Sequence, residues 1–141
     1  MKITLNRIND DYLFECTNSV GNSILLDNLS ASENSKGVSP MESLLMAVAG
    51  CSGIDMVSIL KKQRQEITDF KAEVEGERVQ VDEAKPFKSI KVKFFLEGEI
   101  DPKKAKKAGG LSFEKYCSVS KTLEPNVEIT YEVHVNGNIV D

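Results

Sequence analysis

The chain has three cysteines, at positions 16, 51 and 117, and these are the side chains whose covalent state can change most readily. Cys51 lies inside PMESLLMAVAGCSGIDMVSILKKQ (residues 40 to 63), the longest segment with few charges. A cysteine in such a run is either a small apolar filler or a thiol kept for its reactivity. Gly50 and Gly53 remove side chains on either side of it, so that another backbone or a substrate can approach the sulfur. Asp55, one helical turn on, puts a polar group on the same face. Cys117 sits in KYCSVSK, a second helical stretch, among polar residues. Cys16 closes YLFEC beside Thr17 and Asn18 and reads as a strand-end residue without a role. An odd number of thiols is no secreted disulfide framework. One histidine, His134, and no CxxC pair argue against a zinc site, so neither a metal nor another cofactor is expected.

The element that must position Cys51 is a helix. Leu44, Leu45, Val48, Cys51, Ile54, Val57, Ile59 and Leu60 recur at spacings of three and four, and Met41, Met46, Ala47, Ala49 and Met56 fill much of the remaining circumference. That pattern predicts a central core helix, buried on most sides. Ser39 can cap it, Pro40 suits its first position, and Lys61, Lys62 and Arg64 complement its negative end. At 1.5 Å per residue it reaches roughly 36 Å, long enough to cross a membrane. Glu42, Asp55 and the two glycines oppose that reading.

The rest of the chain supplies strands and a second helix. Residues 2 to 8, 12 to 16 and 23 to 26 read as an antiparallel meander turning at Asn9-Asp10-Asp11. Residues 27 to 39, rich in Ser, Asn and Gly, form a surface loop. Residues 67 to 81 and 87 to 98 alternate as two long strands with one solvated face. Asp101 and Pro102 start a helix running to about Leu123, with a bend or break expected at Gly109 and Gly110. Residues 127 to 135 form a last strand ended by Asn136-Gly137, with His134 on its exposed face and without a role. The lysines 103, 104, 106 and 107 read as a solvated helix face.

With 141 residues, the chain is expected to be a single domain over residues 1 to 141. A net charge of −4 offers no basic face for nucleic acid. The first residues, MKITLNRINDDY, lack the apolar run of a signal peptide, which leaves the cytoplasm as the default location and no membrane partner.

Two separated blocks carry a family likeness: SPMESLLMAVAGCSGIDMVSIL and EKYCSVSKTLEPNVEITYEV. In this order the chain resembles the OsmC/Ohr family, the osmotically induced and organic-hydroperoxide-resistance proteins, and within it the generic OsmC-like branch. The resemblance covers nearly the whole chain. It implies an α+β fold: two three-stranded β segments around a long central helix and a second helix, with the sheets completed in an intertwined homodimer. It also implies two active sites at the subunit interface. Cys51 would attack a peroxide and become a sulfenic acid, Cys117 would resolve it as a disulfide, and a dithiol, such as that of a lipoylated protein, would reduce the pair. The family's activating carboxylate stands ten residues before the first cysteine; here that position is Met41, and Glu42 is the neighbouring candidate. Arg7 is the N-terminal candidate for the partner cation. Two functions compete. The first is a thiol-dependent reductase of small apolar hydroperoxides, its pocket formed by the methionine-rich helix with Phe113 and Tyr116. The second is a non-catalytic small-molecule-binding or structural dimer of the same fold. Sulfurs of Cys51 and Cys117 within disulfide reach, beside an open channel, favour the first.

Overall fold

The computed structural model describes residues 1–31 and 33–141, which form two compact units, Met1–Leu44 and Leu45–Asp141. The first contains three four-residue strands, β1 (Thr4–Arg7), β2 (Phe14–Thr17) and β3 (Ser23–Leu26), an antiparallel meander in the order β1-β2-β3. Asparagine side chains build both turns, as short polar side chains do when they stand in for backbone acceptors. Asn9 Oδ1 accepts from the amides of Asp11 and Leu13, and Asn18 Oδ1 from those of Val20 and Asn22. The expected surface loop follows, and its Ser32 lies outside the described residues. Asp27 ties it together by accepting from the amides of Asn28 (2.8 Å) and Lys36 (3.0 Å). Leu5 and Ile24 on this sheet stay more than half exposed.

Helix α1 (Pro40–Lys62) starts where Ser39 and Pro40 predict. Ser39 Oγ accepts from the Glu42 amide at 3.1 Å while the Glu42 carboxylate accepts from the Ser39 amide at 2.8 Å. This reciprocal pair is a capping box, and it satisfies two amides that a helix start leaves without partners. The burial expected on most sides is not found. Val48, Ser52, Gly53, Met56 and Leu60 are buried, whereas Met46 and Ile54 are 53% and 70% exposed. The reason is that a sheet covers only one side of a helix: a Cβ built on Gly53 would stand 3.4 Å from the Phe70 ring, whereas one built on Gly50 would meet nothing within 4 Å among the described residues.

The second unit contains a four-stranded sheet ordered β4-β5-β6-β7, from β4 (Glu66–Arg78), β5 (Phe87–Glu99), β6 (Glu128–Val135) and β7 (Asn138–Ile139). Alternation places Ile90, Val92, Phe94 and Leu96 of β5 and Val133 and Val135 of β6 in the core, all nearly inaccessible. Strands β4 and β5 pair antiparallel, β5 and β6 parallel. A parallel pair needs a crossover, and the helical segment between them provides it. The last expected strand ends at Val135 as predicted, and an unexpected short strand follows it: Asn136 and Gly137 both take positive φ, 49° and 83°, and make a two-residue hairpin into β7. His134 is half-buried rather than exposed, because its register partner Phe95 stacks on it at 4.8 Å between ring centroids.

The crossover is not one helix. Helix α2 (Pro102–Leu111) begins as expected, with Asp101 accepting from the Lys103 amide and Pro102 at its first position. It then runs unbroken through Gly109 and Gly110, where the sequence suggested a bend. A Cβ on Gly109 would stand 3.0 Å from Tyr131 and 3.2 Å from Val133, so this glycine serves close packing of α2 on β6. The irregularity comes two residues later as a π-helical turn (Ser112–Tyr116), after which α3 (Ser118–Leu123) starts afresh.

A candidate dithiol site

The break between the π turn and α3 is what places Cys117. Its amide donates to the Ser112 carbonyl at 2.7 Å, closing the wide turn, and its own backbone is extended, with φ −70° and ψ 99°. Cys117 therefore serves as the N-cap of α3, with sulfur in the place usually filled by a serine or aspartate oxygen. Its Sγ accepts from the Ser120 amide at 3.4 Å and the Ser120 hydroxyl at 3.0 Å. The thiol is wholly inaccessible. Burial pushes it above its ordinary value of 9.0; the two Ser120 hydrogen bonds pull downward, and the neighbouring Cys51 adds to the upward push. At neutral pH Cys117 is accordingly a protonated thiol.

Helix α1 supplies the other side. Cys51 is half-buried in its middle, and Asp55, four residues on, shares its face. Ligating atoms of Cys51, Asp55 and Cys117 all lie within 4.8 Å of one another. The hydroxyl of Ser112, fully buried at the start of the π turn, donates to Asp55 Oδ2 at 2.9 Å. Two buried serines thus hold two of the three groups: Ser112 fixes Asp55, and Ser120 fixes Cys117. A cavity of about 360 Å³ opens beside Asp55, with Ile59, Leu111 and Tyr116 as apolar walls and Lys62 and Gln63 among its polar lining.

Of the expected site residues, Cys51 and Cys117 are brought together, and Glu42 stands in the first turn of α1. Its carboxylate is engaged by the Ser39 amide in the capping box. The Arg7 guanidinium is likewise occupied in its own hairpin, donating to the carbonyls of Asp11 (2.7 Å) and Asp10. Phe113 belongs to the core, stacked on Tyr131 at 5.1 Å, whereas Tyr116 reaches the cavity. The sequence reading missed the two serines. Cys117-x-x-Ser120 does carry the spacing of an N-cap to its third helical residue, a usable signal. Nothing local marks Ser112, which meets Asp55 from 57 positions away.

Comparison with known proteins gives a consistent result. A family model described as OsmC-like protein matches residues 32–132. The chain is 40% identical over 116 residues to Protein YhfA of Escherichia coli K12, covering 82% of this chain and 84% of that protein. A crystal structure of a protein from Aquifex aeolicus VF5 superposes with a TM-score of 0.79 at 34% identity, covering 96% of each chain. The organic hydroperoxide resistance protein OhrB of Bacillus subtilis superposes with a TM-score of 0.64 at 22% identity, covering 94% of this chain and 96% of that one, a likeness of fold.

Proposed function

The chain belongs to the OsmC-like protein family, and from that premise we propose that it is a thiol-dependent redox protein that reduces organic hydroperoxides through Cys51 and Cys117. The observation that carries this reading is the approach of the two sulfurs to within 4.8 Å, from positions far apart in the chain. A disulfide bond is about 2.05 Å long, so the sulfurs must still approach for it to form.

In the proposed cycle the half-buried Cys51, as thiolate, attacks the outer peroxide oxygen. The O–O bond breaks, the alkoxide leaves and takes up a proton, and Cys51 becomes a sulfenic acid. Cys117 then attacks the sulfenic sulfur, water leaves, and the disulfide that forms is reduced by an external dithiol such as a lipoylated protein. The inaccessibility of Cys117 supports this division of labour, since of the two thiols only Cys51 has surface open to a substrate. Glu42 takes part by fixing the start of the helix that carries Cys51.

The working unit is proposed to be a single OsmC-like domain in a cytoplasmic homodimer, acting without nucleic acid, membrane or cofactor. The family match runs through the boundary between the two compact units, which supports a single domain. The uncovered apolar face of α1, with Met46 and Ile54, supports a second copy.

The cavity walls Ile59, Leu111 and Tyr116 favour an apolar substrate. Burying about 60 Å² of a cumyl group at about 25 cal/mol per Å² contributes about 1.5 kcal/mol, or roughly tenfold. The test is steady-state peroxide consumption driven by dithiothreitol. Cumene hydroperoxide is expected to show a kcat/KM at least about tenfold above hydrogen peroxide. No consumption above the protein-free rate for either peroxide would overturn the reading in favour of a non-catalytic binding or structural dimer.

A further inference from the structure

We propose that the reduced chain is also a metal-binding protein, taking a thiophilic divalent ion, zinc above all, at Cys51, Asp55 and Cys117. Three protein ligands leaving one open position is the arrangement of a tetrahedral zinc site that keeps a water. Zinc–sulfur bonds of about 2.3 Å and zinc–oxygen bonds of about 2.1 Å set ligand-to-ligand separations near 3.5 to 3.8 Å. The three groups already lie within 4.8 Å of one another, so closing on an ion needs movements of roughly an ångström. The supports are in place too. Ser112 binds one oxygen of Asp55 at 2.9 Å, leaving the other carboxylate oxygen to ligate, and Ser120 supplies two hydrogen bonds to the Cys117 sulfur. Partners of this kind orient metal ligands and offset the charge on thiolates. The cavity beside Asp55 gives solvent access to one of the three ligands.

No spacing motif announces such a site, because Cys51 and Asp55 come from one helix and Cys117 from the break after a distant π turn. Binding replaces two thiol protons by the ion and releases them to solvent, with no change of oxidation state. The two sulfurs cannot be metal ligands and a disulfide together. A hydroperoxide that oxidises the loaded site would therefore eject the ion. Two thiolates give up two electrons and form the S–S bond, while the hydroperoxide takes those electrons and two protons to become an alcohol and water. This last consequence rests on the redox reading above; metal binding by the reduced protein does not.

The probe is cobalt(II) added to the reduced full-length protein under nitrogen, followed by optical absorption. About one equivalent should develop a thiolate-to-cobalt charge-transfer band together with the visible bands of a tetrahedral site, and zinc should displace it. Cys51→Ser should abolish the charge-transfer band, Cys16→Ser should keep it, and Ser112→Ala should weaken binding by about 10- to 100-fold. Protein oxidised beforehand to the disulfide is the unmutated control, and it should give no band. Absence of the band in reduced protein, its loss in Cys16→Ser, or an unchanged affinity in Asp55→Asn would overturn the proposed site. A band that forms as described and then survives cumene hydroperoxide upholds the site and counts against the redox reading alone.

Discussion

Cys51→Ser is expected to remove hydroperoxide turnover by a thousandfold or more, whereas Cys117→Ser should fail in a different way. A serine hydroxyl does not become an anion at neutral pH and cannot attack an O–O bond, and losses on the order of 10³ or more are usual when a nucleophile is deleted. Cys51 is half-buried, so the smaller oxygen leaves the helix and its packing unchanged. Cys117→Ser keeps the nucleophile but not the resolving thiol. Serine caps a helix well and can still accept from Ser120, so α3 should persist. Such a protein should consume about one equivalent of cumene hydroperoxide and stop as a sulfenic acid, passing to sulfinic acid when peroxide is in excess. Stopped-flow peroxide consumption with intact-mass analysis separates the two outcomes. Equal steady-state rates for both variants and the unaltered chain would contradict these roles.

The largest effect on stability is expected at Phe94. It is wholly buried in the middle of β5, with its ring centroid 5.8 Å from that of Phe70 and 6.1 Å from that of Phe113. Truncating a buried phenylalanine to alanine typically costs about 3–5 kcal/mol, from lost transfer energy and the cavity left behind. Phe113 lies in the π turn immediately before Cys117 and is held on its other side by Tyr131, so the cavity should also loosen the support of that thiol. Phe94→Ala is thus expected to lower the urea midpoint by the equivalent of about 3–5 kcal/mol, and to make Cys117 reactive toward iodoacetamide in the otherwise folded protein. A cost below about 1 kcal/mol, with Cys117 still protected, would show that the aromatic cluster does not support the site.

Much of this architecture is legible in residue order because its signals are local. Period-two alternation marks β5 and β6, and Asp101-Pro102 marks the start of α2. What the sequence hides is decided by contacts between distant residues. Gly109 and Gly110 look like helix breakers, yet the helix is kept, and Tyr131 and Val133 pack so closely against Gly109 that an added side chain would have to push them back. The π turn has no signature of its own; it emerges where Phe113 must reach the aromatic core while Ser112 turns toward Asp55. Glu42 shows how one residue can carry two signals. Its place near Cys51 suggests a catalytic carboxylate, and its spacing from Ser39 suggests a capping box, which its hydrogen bonds form. The exposed side of α1 defeats the burial pattern for a simpler reason, since periodicity records what a helix must cover and not which chain covers it.

The most direct measurement is the thiol state of the reduced protein after about one equivalent of cumene hydroperoxide, read by alkylation, proteolysis and mass spectrometry. The account predicts that Cys51 and Cys117 disappear together as one intramolecular disulfide, that Cys16 stays free, and that a dithiol restores both thiols. Cys51 and Cys117 remaining alkylatable under excess hydroperoxide, or a disulfide that joins Cys16 instead, would contradict it.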